Sequence, residues 1–171
     1  MIYLLDANTL IDAKRDYFQF ERVPEFWEWI AHKGSEGAIK IPIEIYEEFE
    51  GAKKPDGTRD ELAEWAARTE IRKALLLKEN AEPGLVQHVT YEGYAADLTD
   101  DEIVKLGRDP FLISYAMVAT TERAIVTTET SKPSKKRANR KIPDVCADLE
   151  IACINNFDLL RVLDFRTGWR A

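Results

Sequence analysis

Cysteine and histidine are scarce in this chain of 171 residues. It has two cysteines, Cys146 and Cys153, and two histidines, His32 and His88, and none of them has the spacing of a zinc site. The cysteines lie in apolar surroundings, which indicates reduced core thiols and predicts a cytoplasmic protein. No disulfide or zinc is needed to stabilise the fold, because a chain of this length buries a sizeable core.

Long hydrophobic runs are also missing. No apolar stretch approaches the ~18–20 residues that cross a bilayer, so no membrane segment is predicted. The first residues, 1–6, lack the basic region and the longer apolar core of a signal peptide. With 45% hydrophobic and 32% charged residues the composition is that of a globular protein, and the length predicts one domain over residues 1–171.

Basic residues are outnumbered overall but concentrated in one segment. The 24 lysines and arginines stand against 31 aspartates and glutamates, and the net charge of −7 argues against a general nucleic-acid-binding surface. The acid-free segment 132–141 nevertheless carries six cations: Lys132, Lys135, Lys136, Arg137, Arg140 and Lys141. It is either a solvated loop or a local polycation for a phosphate backbone.

Short apolar runs alternate with helical patterns along the chain. The runs cover 2–5, 38–41, 124–127 and 151–154, and apolar residues recur at helical spacing between them. Residues 59–82 are predicted as a charged helical region, whereas 87–89 suit a strand or a helix equally. Strands that alternate with helices predict an α/β fold with a mainly parallel sheet.

Acidic residues follow the predicted strands at the points where the strands end. Asp6 comes directly after the first run, and Glu129 comes after the third. Further acids lie in the helical segments, namely Glu44, Glu47, Glu48, Asp109 and Asp144. Because the carboxyl ends of parallel strands meet at one edge of a sheet, we expect these side chains to converge there.

Converging carboxylates repel one another unless a cation neutralises them. Oxygen ligands select Mg²⁺ or Mn²⁺ rather than zinc. Such an ion lowers the pKa of a bound water, polarises a phosphoryl oxygen and offsets charge on the leaving group. The pattern therefore predicts a divalent-metal site for phosphoryl chemistry, whereas each acid taken alone also fits a structural role such as helix capping.

At these residues the chain resembles the PIN-domain nucleases. Four pieces carry the resemblance in family order: Leu4-Leu5-Asp6-Ala7-Asn8-Thr9-Leu10-Ile11, Ile41-Pro42-Ile43-Glu44-Ile45-Tyr46-Glu47-Glu48-Phe49, Asp109-Pro110-Phe111-Leu112-Ile113-Ser114-Tyr115-Ala116 and Val126-Thr127-Thr128-Glu129. The resemblance implies a three-layer sandwich in which helices flank the sheet. It extends to prokaryotic PIN-like proteins of unassigned role and to the toxin ribonucleases of toxin–antitoxin systems.

The resemblance also assigns the metal-binding acids. Asp6, Glu48 and Asp109 would bind the metal, with Glu44 or Glu47 as alternatives to Glu48.

The fourth acid is open, because the family usually has Asp after its Val-Thr strand and Glu stands here. Either Glu129 or Asp144 would fill the place, and one or two ions would bind accordingly. Asn8 would donate hydrogen bonds to the acids, and Thr127 would orient them.

The activity that the resemblance implies is hydrolysis of RNA by a Mg²⁺- or Mn²⁺-dependent endoribonuclease. A metal-activated water would attack phosphorus in line, without a covalent intermediate, while segment 132–141 held the RNA backbone. An antitoxin protein and a second copy of the chain are the implied partners. Four aromatic residues belong either to such an interface or to the core: Phe18, Phe20, Trp27 and Trp29.

Two other functions fit parts of the pattern. A catalytically degenerate PIN-like protein would act by binding alone, although the retained acids Asp6, Glu48 and Asp109 count against this. The segment 4–10 is also similar to the nucleophile loop of haloacid-dehalogenase-type phosphatases. That family has Asp where Asn8 stands, and a carboxamide cannot donate the proton that the reaction requires. Activity of an Asn8→Asp variant on phosphomonoesters would favour the phosphatase.

Overall fold

A computed structural model describes residues 1–170 of the chain. The strands are β1 (Ile2–Leu5), β2 (Ile39–Lys40), β3 (Arg123–Val126) and β4 (Ala152–Ile154). The α-helices are α1 (Ala7–Asp12), α2 (Pro24–Ser35), α3 (Ile43–Glu50), α4 (Glu61–Ala66), α5 (Thr69–Leu75), α6 (Pro83–His88), α7 (Asp100–Leu106), α8 (Asp109–Met117), α9 (Ile142–Asp148) and α10 (Asn156–Val162). Two π-helical turns cover Ala13–Tyr17 and Val89–Tyr94, and a 3₁₀ turn covers Arg137–Asn139.

The four strands form one parallel sheet with the order β2-β1-β3-β4. The longest pairing joins β1 to β3, from Ile2 opposite Arg123 to Leu5 opposite Val126. Beyond β2, Ile41 makes an isolated parallel bridge to the segment after α5. The arrangement confirms the α/β fold with a parallel sheet that the alternating pattern predicts.

Helices cover both faces of the central strands. Successive side chains of a strand point to opposite faces of the sheet, yet Leu4 and Leu5 are both completely buried. All four residues of β3 are buried as well. Burial on both faces explains why residues 2–5 and 124–126 are continuously apolar rather than alternating. Arg123, the first residue of β3, is buried as well and pairs with Glu79. It is consistent with the predicted three-layer sandwich.

The aromatic residues around α2 belong to the core. Trp27 and Trp29 are buried, and Phe20 stacks on Trp27 with the ring centroids 4.0 Å apart. Phe18 stacks on Phe26 at 4.3 Å, and its carbonyl accepts a 2.7 Å hydrogen bond from the indole nitrogen of Trp27. Of the two roles open to these rings, packing inside the fold is the one that the structure supports.

In two segments the structure differs from a simple helical pattern. Region 59–82 contains α4 and α5 rather than one helix, because Arg68 has an extended backbone conformation that breaks the helix between them. The break lets α5 pack against α2, where Gly34 permits a close approach: a Cβ there would lie 2.6 Å from the Leu75 side chain. Residues 87–89 lie in α6 and the π-helical turn that follows, so the strand alternative is wrong.

Within the described residues, every helix is too short or too polar to span a bilayer. Cys146 is buried in α9 and Cys153 is partly buried in β4, and both thiols are free.

Candidate active site

The chain connections that leave β1 and β3 run in opposite directions across the sheet. From β1 the chain crosses to β2 on one side, and from β3 it crosses to β4 on the other, although β1 and β3 are neighbours. The carboxyl ends of these two strands therefore border a crevice, the usual ligand position in an open parallel sheet. Asp6 follows β1 and Thr127 follows β3 at this point.

Asp6 precedes α1 but its side chain makes no capping hydrogen bond to the helix. Instead, Thr127 Oγ1 donates a 2.8 Å hydrogen bond to Asp6 Oδ2. The residue is only 4% exposed. Burial raises the pKa of Asp6 and the nearby charge of Glu129 adds to the rise, whereas the hydrogen bond from Thr127 and the backbone amides of Asn8 and Ala7 oppose it. The carboxylate of Asp6 thus faces both the end of β3 and the backbone at the start of α1.

Asp109 is the first residue of α8, and the proline that follows suits the first turn of a helix. Burial, together with the charges of Asp6, Glu129 and Glu48, raises the pKa of Asp109 to about 7, while Lys141 acts in the opposite direction. Acids that are far apart in sequence thus disfavour one another's charge. Asp6, Glu48 and Glu129 therefore each lie close enough to Asp109 to raise its pKa.

The three glutamates of α3 point to different surroundings. Glu48 is an exposed residue, yet desolvation of its carboxyl and the charge of Asp6 raise its pKa, while Arg108 acts in the opposite direction. Glu47 instead forms a 2.8 Å ion pair with Arg108. Glu44 accepts a 3.4 Å hydrogen bond from a tyrosine hydroxyl of α8. The structure therefore brings Glu48, rather than Glu44 or Glu47, to the acids at the sheet edge.

Glu129 belongs to the acidic cluster but already has partners. Its Oε1 atom pairs with the ammonium of Lys141, and its Oε2 atom accepts a 2.9 Å hydrogen bond from the amide of Ile142. The basic segment of the sequence predicts RNA binding by Lys141, whereas the structure places this lysine among the acids, where its charge lowers the pKa of Asp109. Lys141 thus supplies one positive charge to the site from within the protein.

Asp144 lies outside the acidic cluster. Its carboxylate accepts hydrogen bonds from the Ser131 hydroxyl and, at 2.8 Å, from the Lys132 amide. These bonds lower the pKa of Asp144, which is the opposite of what happens to the clustered acids. Of the two options for the fourth acid, Glu129 is the one that approaches Asp6 and Asp109.

Half of the basic segment is committed to pairs inside the protein. Arg137 pairs with Glu102, Arg140 with Asp148 and Lys141 with Glu129. In the described part of the chain, three exposed cations of this segment have no ion pair: Lys132, Lys135 and Lys136. The predicted polycation of six is therefore reduced to three lysines, because folding uses the other charges to fix the segment.

Asn8 does not take its expected place. Its side chain is exposed on α1, and within residues 1–170 no hydrogen bond joins its carboxamide to an acidic side chain. Thr127 does take its place, since it holds Asp6 and also accepts a 3.1 Å hydrogen bond from the amide of Glu129.

Tyr94 is a site residue that the sequence does not reveal. Its hydroxyl is buried without a hydrogen-bond partner. Burial raises the pKa of Tyr94, and the charges of Asp109 and Glu129 contribute to the rise. The phenol therefore remains protonated close to the acids. No motif points to it, because the preceding residues suit a strand as well as a helix.

The donor set suits a hard divalent ion. Across residues 1–170, no group of three or more His, Cys, Asp or Glu side chains is arranged to hold a metal ion. Mg²⁺, however, usually takes only one or two protein carboxylates and keeps several waters. The mutual repulsion of Asp6, Glu48 and Asp109 and the orphaned hydroxyl of Tyr94 both fit a cation with its water shell at this place.

Comparison with known proteins gives a family and no activity. Residues 3–167 match the family described as Domain of unknown function (DUF4411). No match was found among curated proteins or solved structures. The matched span includes all four clustered acids and nearly the whole chain. The protein therefore belongs to the DUF4411 family.

Proposed function

We propose that this protein is a Mg²⁺- or Mn²⁺-dependent ribonuclease, similar to the PIN-domain nucleases, with its active site at the carboxyl edge of the sheet. One observation carries the proposal: Asp6, Glu48 and Asp109 come from three separate parts of the chain, and at the β1–β3 crevice the charge of Asp6 raises the pKa of Glu48 while the charges of Asp6 and Glu48 raise that of Asp109. Purely structural acids, such as Asp60 with Lys14, are paired with a cation instead. Unpaired carboxylates at a ligand crevice favour a bound metal.

Asp6, Glu48 and Asp109 are the residues that would hold the ion. When bound, a divalent ion polarises the phosphoryl group, activates water and stabilises the charge that develops on the phosphate. We infer one ion rather than two, because both oxygens of Glu129 have partners and Lys141 already provides a positive charge beside it.

The remaining side chains orient and balance this site. Thr127 fixes the direction of the Asp6 carboxylate through its 2.8 Å hydrogen bond. Glu129 anchors Lys141, whose ammonium is placed to stabilise negative charge on a phosphate at the same edge. The hydroxyl of Tyr94 remains protonated and is therefore a neutral hydrogen-bond donor near Asp109.

RNA would be held mainly by electrostatics. The three unpaired lysines, Lys132, Lys135 and Lys136, follow the strand end that carries the site and would contact the phosphate backbone. Because the net charge is −7, the rest of the surface steers a polyanion towards this segment.

The free thiols agree with a cytoplasmic location, and we extend the proposal to a toxin that binds an antitoxin protein and forms a homodimer.

A cleavage assay tests the proposal. Pools of tRNA and mRNA are incubated with wild type and Asp109→Asn, in Mg²⁺, in Mn²⁺ and in a chelator. We expect metal-dependent cleavage by wild type and a loss of at least about a hundredfold in the variant, comparable with removing one charge-stabilising group from an active site. Asp101→Asn, an exposed acid of α7, is the matched control and should cleave as wild type does. Equal cleavage by Asp109→Asn would mean that this acid is structural.

A further inference from the structure

A small cavity lies beside the candidate active site. It has a volume of about 270 Å³ and lies between the π-helical turn Ala13–Tyr17, the loop after β3 and the start of α10. Thr128 lines it, and Thr128 is the residue between Thr127, which holds Asp6, and Glu129. The cavity and the acidic cluster therefore share one loop. Single π-helical turns are frequent at functional sites.

Two exposed aromatic rings stand at this cavity. Tyr17 is 49% exposed and Phe157 is 45% exposed, and both line the cavity. Their ring centroids are 5.2 Å apart, with an angle of 79° between the planes. About half of each residue's surface remains accessible to a ligand. Exposed aromatic faces beside a nucleic-acid site are platforms on which unpaired bases stack.

The cavity also contains an unpaired amide. Asn156 lines it and is 3% exposed, yet neither its Nδ2 nor its Oδ1 atom has a hydrogen-bond partner. A buried polar group without a partner is costly. Both amide atoms are themselves buried, so a planar ligand with a donor and an acceptor, such as a nucleobase, would satisfy them once the side chain turns towards the cavity.

The charges at the cavity favour a neutral ligand group over a phosphate. Asp12 and Asp16 both pair with Arg15, at 2.8 and 2.7 Å, so the carboxylates outnumber the cation. Thr128 also donates a 2.6 Å hydrogen bond to Asp12. Each carboxylate oxygen keeps a free lone pair that can accept from an amino group. The rim therefore suits a neutral ring with an exocyclic amino group.

We propose that this cavity is a subsite for one unpaired, amino-bearing nucleobase of the RNA strand, stacked on the Tyr17–Phe157 pair. That this RNA strand is the substrate of the protein rests on the proposed ribonuclease function. A volume slightly below the ~300–1,000 Å³ of ordinary small-molecule sites holds one base and excludes a duplex. The substrate is thus single-stranded at this position, with adenine, cytosine or guanine preferred to uracil, which has no amino group.

Binding without cleavage tests the subsite. Fluorescence anisotropy measures the affinity of labelled oligo(A), oligo(C) and oligo(U) for the Asp109→Asn protein in a chelator. Adding Phe157→Ala or Tyr17→Ala should weaken oligo(A) binding about tenfold, the usual loss when one stacking ring is removed. Phe157→Trp keeps a ring and should bind as the parent does. Tyr91→Ala removes a tyrosine that is 40% exposed elsewhere and should change nothing.

The outcomes separate the subsite from the ribonuclease proposal. Unchanged affinity in Phe157→Ala, an equal loss in Tyr91→Ala, or oligo(U) binding as tight as oligo(A) would overturn the subsite. Free AMP that binds as tightly as oligo(A) would show a nucleotide site and overturn the assignment to a strand. Base-selective binding by a wild type that never cleaves RNA would overturn the ribonuclease and leave the subsite standing.

Discussion

The hydroxyl of Thr127 donates a 2.8 Å hydrogen bond to the carboxylate of Asp6, which joins the end of β3 to the end of β1. Both residues are almost fully buried. The bond lowers the pKa of Asp6 while burial raises it, so the hydroxyl favours the ionised form that a cation requires. Thr127 thereby fixes both the direction and the charge of the carboxylate.

Removing this hydroxyl should weaken metal binding. In Thr127→Val the shape is nearly kept while the donor is lost, so Asp6 becomes harder to ionise. We expect Mn²⁺ affinity to fall about 10- to 100-fold, the usual effect of losing a group that orients a metal ligand. Thr127→Ser keeps the donor and should retain the wild-type affinity. Equal affinities of the valine and serine variants, measured by calorimetry, would show that the hydrogen bond is only structural.

Substitutions of the α3 glutamates should differ in their effect on cleavage activity. Glu48→Gln removes a charge from the acidic cluster, so metal-dependent cleavage should fall by about two orders of magnitude or more. Glu47→Gln breaks only an exposed ion pair with Arg108, which contributes at most about 1 kcal/mol to stability. Initial cleavage rates at saturating metal measure the difference. If Glu47→Gln lost activity and Glu48→Gln retained it, the assignment on α3 would be wrong.

The two kinds of lysine in segment 132–141 should differ in effect. Lys141→Met removes the positive charge beside Glu129 and lets the pKa of Asp109 rise further. We expect a lower kcat and a rate profile displaced to higher pH, with little change in RNA affinity. Lys136→Met is the matched control and should weaken RNA binding while kcat stays the same. If Lys141→Met lost only RNA affinity and kept its kcat, Lys141 would instead be a residue that binds the RNA backbone.

The exposed lysines should control the salt dependence of RNA binding. Replacing Lys132, Lys135 and Lys136 by glutamine removes three unpaired cations of the described chain. The slope of log affinity against log salt should become shallower by about 2, at ~0.7 per contact on a single strand. Arg137→Gln breaks an internal pair with Glu102, so its first effect should be on stability. An unchanged slope in the triple variant would place the RNA elsewhere.

Asp109 should make the metal-free protein less stable as pH rises. Its pKa is about 7 in the folded state against an ordinary value of 3.8, so the folded form binds this proton more tightly. The stabilisation is complete below about pH 4, declines as pH rises and is lost above pH 7. Asparagine does not titrate, so Asp109→Asn avoids the cost of a buried charge. Its free energy of unfolding should exceed that of wild type by on the order of 2–4 kcal/mol above pH 7.

Urea unfolding in a chelator at several pH values measures this difference, and the comparison of the two proteins removes the contributions of titrating groups that do not interact with Asp109. Mg²⁺ should restore stability to wild type but not to Asp109→Asn, because only the carboxylate gains from the ion. A constant difference between the two proteins across this pH range would show that folding does not raise the pKa of Asp109.

The sequence predicts the frame of the site well. Strand ends are visible because β1 and β3 are buried on both faces and therefore read as short apolar runs. The position of Asp6 follows directly from this, and parallel strands then place Glu129 beside it. The proline after Asp109 marks the start of α8 for the same local reason.

The charge partners could not be predicted because they depend on tertiary approach. Arg137 pairs with Glu102, 35 residues earlier, and Lys141 turns towards Glu129 rather than towards solvent. Tyr94 reaches the acids from a π-helical turn that no periodicity announces. The break at Arg68 likewise follows from the packing of α5 on α2, which local propensity does not encode.

The most direct test of the central claim is a calorimetric titration of Mn²⁺ into the metal-free protein above pH 7, where Asp109 is ionised. Wild type should bind one ion, and Asp6→Asn should bind none while it remains folded by circular dichroism. Absence of binding heat in wild type, or the same heat in Asp6→Asn, would contradict a metal site built from these acids.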